Sequence, residues 1–118
     1  MAARGRDGEQ VLALNGKTYT LDASMTVIAD DEIVHDIGGI MGGEHSGVTE
    51  TTTDVVIECA YFTPEAIART GQKLSLTSDA RTRFERGVDI DNLIRASDRA
   101  AQLICELTGG TADDLIDI

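Results

Sequence analysis

DVVIECAYFTPEAIARTGQKL, residues 54–74, changes its hydrophobic period partway along, and that change decides the fold class. From Asp54 to Phe62 the chain is dense in β-branched and aromatic residues and apolar on both faces, which predicts a central strand. Thr63 then stands at an N-cap position, with Pro64 first in the helix and Glu65 in its first turn. Ile67, Thr70, Gly71 and Leu74 would share one stripe of that helix. Upstream, VLALNGKTYTLD (11–22) reads as a hairpin, its two runs joined by Asn15-Gly16 in a type I′ turn. MTVIADDEIVHDIGGI (25–40) repeats the pattern around the acidic turn Asp30-Asp31. Downstream, LTSDARTRFERG (76–87) offers a helix start at Thr77 or Ser78 and a stop at Gly87. DNLIRASDRAAQLICELTGG (91–110) predicts the clearest helix, with Leu93, Ala96, Ala100, Ile104 and Leu107 in register and Gly109-Gly110 ending it. DDLIDI (113–118) reads as a last short strand. Strands first and helices later imply an α+β layered domain: two antiparallel hairpins and a central strand, packed by about three helices.

The chain has 118 residues, the size of one domain, read as a flexible N-terminus at 1–8 and a single domain over 9–118. With no Trp, two Phe and two Tyr, its core must be mostly aliphatic. No run has the length of a membrane span, and MAARGRDGEQ lacks the apolar stretch of a signal peptide. Cys59 and Cys105 lie in apolar segments, which predicts buried free thiols and a reducing cytoplasm. A net charge of −11 argues against a stand-alone nucleic-acid binder. Between Arg69 and Arg86 the sign inverts, with Arg69, Lys73, Arg81, Arg83 and Arg86 against Asp79 and Glu85. That stretch is either a solvated helical face or a small basic rim for a phosphate backbone held mainly by something else.

Three features could carry chemistry. Glu58 sits inside an apolar run, where an unpaired carboxylate would be costly. It either pairs with an arginine or faces water, or it waits at the bottom of an apolar pocket for a ligand hydroxyl or amine. GGIMGGEHSG (38–47) holds five of the twelve glycines. It lacks the Lys-Ser/Thr ending of a phosphate loop, leaving turns and bulges or a bare backbone wall against a ligand. His45, beside those glycines, is the one candidate general base. No cysteine or histidine spacing suggests a metal site.

GGIMGGEHSGVTETTTDVVIECAYF (38–62), TPEAIARTGQKL (63–74) and SDARTRFERGVD (78–89), in that order, resemble the bacterial phenylalanine–tRNA ligase β subunit. The likeness is to the C-terminal part of its B3/B4 tRNA-editing domain, and runs from about Asp7 to the C-terminus. RFERGVD (83–89) is its most specific piece; Ile90 replaces the family's proline. The module's first half, which supplies a histidine and an asparagine to the editing pocket, has no counterpart here. The resemblance implies hydrolysis of the ester of Tyr-tRNA(Phe), because an apolar synthetic pocket rejects an added hydroxyl by only about a hundredfold. It places recognition of the tyrosine hydroxyl on Glu58, with Ser78 (threonine in the family) and Ala80 shaping the pocket. Gly39 and Gly42 would wall the aminoacyl end of the tRNA, and Arg69, Lys73, Arg81 and Arg83 would rim it. It further implies no cofactor in this domain, ATP and Mg2+ in the whole ligase, and a cytoplasmic heterotetramer with α subunits as the setting. The alternatives are an inert half-module that packs inside the ligase, a tyrosine pocket without turnover, and a pocket completed by self-association.

Overall fold

The computed structural model describes residues 1–117 and divides the chain into two compact units. The first comprises Met1–Thr52 and Tyr61–Val88; the second comprises Thr53–Ala60 and Asp89–Ile118. The sequence suggested one domain over 9–118.

In the first unit, β1 (Ala2–Arg4), β4 (Thr26–Ala29) and β5 (Val34–Ile37) form an antiparallel sheet in the order β1-β4-β5. Of residues 1–8, expected as a flexible end, Ala2–Arg4 pair as β1. Ala2 pairs with Ile28 and Arg4 with Thr26, and the Met1 amine donates to the Ala29 carbonyl at 2.7 Å. Ala and Arg have little strand preference of their own; the open edge of β4 supplies the partner. β2 (Gln10–Leu12) and β3 (Thr18–Thr20) form a separate antiparallel pair.

Both expected hairpins are present, the first with a different turn. Gly16 N–H donates to Ala13 O at 2.8 Å and Ala13 N–H to Lys17 O at 2.9 Å. Gly16 has φ +76° while Asn15 does not take a positive φ, so the loop is a three-residue turn with a glycine bulge, not type I′. In the second hairpin the Asp30 carboxylate accepts from the amides of Glu32 and Ile33, both at 2.8 Å, closing the turn. β4 and β5 slip register there: Ile28 faces Asp36 and Ala29 faces Val34, leaving His35 unpaired on a bulge.

Helix α1 (Pro64–Lys73) starts where expected and buries Ile67, Thr70 and Gly71 against the sheets. With Val11, Leu21, Met25, Val27, Ile37, Ile40, Phe62 and Leu76 these residues make an aliphatic core. The end of α1 is a Schellman cap: Leu76 N–H bonds Gly71 O at 2.9 Å and Ser75 N–H bonds Gln72 O at 3.1 Å. Ser75 therefore sits at φ +49°, the one positive φ outside glycine among the described residues. Ser75→Gly is expected to raise unfolding stability by about 0.5–1 kcal/mol, read as a higher urea midpoint at unchanged slope. α2 (Asp79–Phe84) follows, with Ser78 as its N-cap.

The second unit holds the segment 53–60, a 3-10 turn (Ile90–Asn92) and α3 (Leu93–Thr108), stopped by Gly109 at φ +73°. The predicted strand over 54–62 is corrected: these residues join no ladder, and Val56 is 98 % exposed. Strand composition alone does not make sheet, and this segment stays outside both ladders. α3 buries none of its residues. Leu93, Ser97, Ala100, Ala101 and Cys105 are half-buried, whereas Ile104 and Leu107 of the expected stripe are exposed. Cys59 and Cys105 are free as expected, but one is exposed and the other half-buried. Residues 113–117 form no strand, and Ile118 lies outside the described residues. No described helix is long and apolar enough to cross a membrane.

Candidate functional site

The glycine stretch turns back on itself directly after β5. Ile37 and Met41 exchange backbone bonds at 2.9 and 3.0 Å, and Gly38 N–H donates to Thr26 O at 3.0 Å. The returning strand lies along the end of β2: Leu14 N–H bonds Gly42 O at 2.9 Å, and Glu44 N–H bonds Leu12 O at 2.8 Å. Gly43 N–H donates to the Asp36 carboxylate at 2.7 Å.

Much of what approaches these glycines is the protein itself. A Cβ on Gly39 (φ +66°) would stand 2.8 Å from the Phe62 ring and 3.1 Å from Ile67 Cδ1. One on Gly43 would stand 1.8 Å from the His35 carbonyl oxygen, and one on Gly42 2.8 Å from Leu14 Cδ1. The amides of Gly39 and Gly42 make no hydrogen bond among the described residues.

Ser78 and the glycine stretch are brought together. The Ser78 hydroxyl donates to Ile40 O at 2.6 Å and accepts from Arg81 N–H at 3.0 Å, so one side chain caps α2 and fastens it to the loop. Ala80 is half-buried in the first turn of α2. Glu58 belongs to the second unit and is exposed in the extended segment.

Two of the four rim cations are engaged within the first unit. Lys73 bonds the Asp22 carboxylate. Arg81 lies across Gly71, bonding Glu85 at 3.0 Å and Leu76 O at 2.8 Å. Arg69 and Arg83 are exposed and carry no ion-pair partner among the described residues.

The Lys73 bond, then the hydroxyl and amide of Ser24, hold Asp22 down from 3.8 to about 2. A carboxylate depressed in the folded state adds stability above its unfolded pKa, and that stability disappears as pH falls through the folded value. Acid unfolding is therefore expected to steepen between about pH 4 and pH 2, and Asp22→Asn to flatten that limb in a pH series of thermal melts.

His45, the sequence's candidate base, is exposed, and its Nε2 lies 3.0 Å from His35 Nδ1. His35 Nε2 in turn lies 2.9 Å from Asp30 Oδ2. Sequence reasoning read Asp30 only as a turn acid and found no metal spacing for His35 and His45. The spacing from the turn acid to the strand histidine was visible, but the bulge that aims His35 was not. Among the described residues no group of three or more His, Cys, Asp or Glu could hold a metal ion.

The B3/4 domain profile matches residues 2–109. The chain is 60 % identical to the phenylalanine–tRNA ligase beta subunit of Novosphingobium aromaticivorans, covering 98 % of this chain and 15 % of that protein. It is 51 % identical to the same subunit from Paramagnetospirillum magneticum and from Zymomonas mobilis, again over 98 % of this chain and 14 and 15 % of theirs. The chain belongs to the B3/4 domain family, and the members it resembles are phenylalanine–tRNA ligase beta subunits. It spans about one-seventh of their length.

Proposed function

We propose that this region proofreads for a phenylalanine–tRNA ligase, hydrolysing the ester that joins a misplaced tyrosine to tRNA(Phe) in the cytoplasm. The observation that carries the reading is a braced glycine wall, with the Gly39 and Gly42 amides unbonded among the described residues, inside a B3/4 match. Main-chain N–H groups held in place by packing are suited to an ester carbonyl as negative charge develops on its oxygen. Ser78 fixes that wall through Ile40 O, and Ala80 leaves room beside it. The family likeness assigns recognition of the tyrosine hydroxyl to Glu58, which lies in the second unit. Water is the only co-reactant; the ATP and Mg2+ of the ligase serve charging, not this step. Arg69 and Arg83 meet the tRNA 3′ end, whose main hold is the rest of the ligase and its α subunit.

The test is deacylation of Tyr-tRNA(Phe) by the intact ligase. Glu58→Ala is expected to lower kcat/KM by about 10- to 100-fold, the value of a hydrogen bond to a charged group, with phenylalanine charging unchanged. Unaltered deacylation would remove Glu58 from the mechanism.

A second reading is favoured by α3, which buries no residue and exposes Ile94, Leu103, Ile104 and Leu107. On that reading the second unit is an interaction half-module, completed by the rest of the ligase and inert by itself. Sedimentation of the 118-residue chain separates this from self-association: a monomer that gains no activity on concentration supports the half-module.

A further inference from the structure

We propose that Asp30, His35 and His45 form a proton-operated clasp, which holds the glycine loop to the β5 bulge and lets go when both imidazoles are charged. This inference does not depend on the editing reading. The bulge leaves His35 outside the ladder, so its ring reaches both the β4–β5 turn and the loop. The two rings are 5.0 Å apart between centroids with planes 24° apart, and the facing nitrogens are 3.0 Å apart. The facing nitrogens are within the range of an N–H···N bond, and among the described residues no group of three or more His, Cys, Asp or Glu could hold a metal ion.

The protons can be placed in order. The amides of Ile33 and Glu32, and then His35, hold the Asp30 carboxyl down to about 2, so it is an acceptor throughout the imidazole range. It takes the proton of His35 Nε2. His35 Nδ1 is then a lone pair and accepts from His45 Nε2–H, leaving His45 Nδ1 open to solvent. A first added proton enters at His45 Nδ1 and preserves both bonds. A second must go to His35 Nδ1, where it meets His45 Nε2–H head on. Two donors cannot bond, and two cations repel at that distance.

The charged groups on the surrounding elements do not undo this. Asp31 and Glu32 share the turn with Asp30, and Glu44 adjoins His45 in the loop. Asp36 on β5 is engaged by Gly43 N–H and Ser46 Oγ. Arg6 reaches Asp31 O at 3.4 Å, and the Met1 amine is bonded to Ala29 O. Among the described residues Asp30 alone touches the pair.

NMR on the 118-residue chain tests the clasp. At pH 8 a nitrogen–nitrogen coupling across the His35–His45 bond is expected, and it should vanish toward pH 5. Over the same span the exchange protection of the Gly43 and Glu44 amides should fall about tenfold while Val27 and Ile37 keep theirs. His45→Asn, at an exposed position, should remove the coupling and make loop protection insensitive to pH; His35→Gln should do the same. No coupling at pH 8 in a chain whose Val27 and Ile37 remain protected would overturn the proposal. So would an undiminished pH response in both variants.

Discussion

Gly43→Ala is expected to cost about 3 kcal/mol or more, the upper end of what overpacking does to a closed interior. The new methyl would stand 1.8 Å from the His35 carbonyl oxygen, and that carbonyl belongs to the bulge within β5. No rotamer can relieve a clash with main chain. Relief would require moving the bulge, breaking the Gly43–Asp36 bond and lifting Glu44 from Leu12. Gly42→Ala is the matched control. There the methyl meets Leu14 Cδ1, the far end of a flexible and exposed side chain, and a loss below about 1 kcal/mol is expected. Urea unfolding of the two variants side by side gives the answer, and equal losses would show that the loop is soft.

Phe62→Ala should be as severe, at about 3–5 kcal/mol. Phe62 is 6 % exposed, covers Gly39 and meets the Phe84 ring edge-on at 5.2 Å and 62°. Phe62 is the one aromatic in a core otherwise built of smaller side chains, so its removal leaves a hole that they refill only in part. The same ring is what a Cβ on Gly39 would strike, so the two sites must couple. Gly39→Ala should cost less in the Phe62→Ala background than alone, though not nothing, because φ +66° remains strained for any side chain.

What the sequence made legible was local. Asn15-Gly16, Asp30-Asp31, Pro64 and Gly109 each set backbone geometry within a few residues, and hairpins and helices fall where those residues put them. What it concealed depended on partners. β1 forms because β4 has an open edge, not because Ala2–Arg4 favour a strand. Val55–Ile57 have strand composition and join no ladder. The candidate site divides the same way. Glycine density announced a close approach, and the structure shows Phe62, Leu14 and the His35 carbonyl already there. The double role of Ser78 and the pairing of His35 with His45 need the loop's return path, which no spacing rule encodes.

The two cysteines both lie in the second unit, whereas both tyrosines and both phenylalanines lie in the first. Tyrosine emission therefore reports on one unit and thiol labelling on the other, with no engineered probe. Heating the unaltered chain while following both signals would show whether its halves melt as one cooperative body or in separate steps.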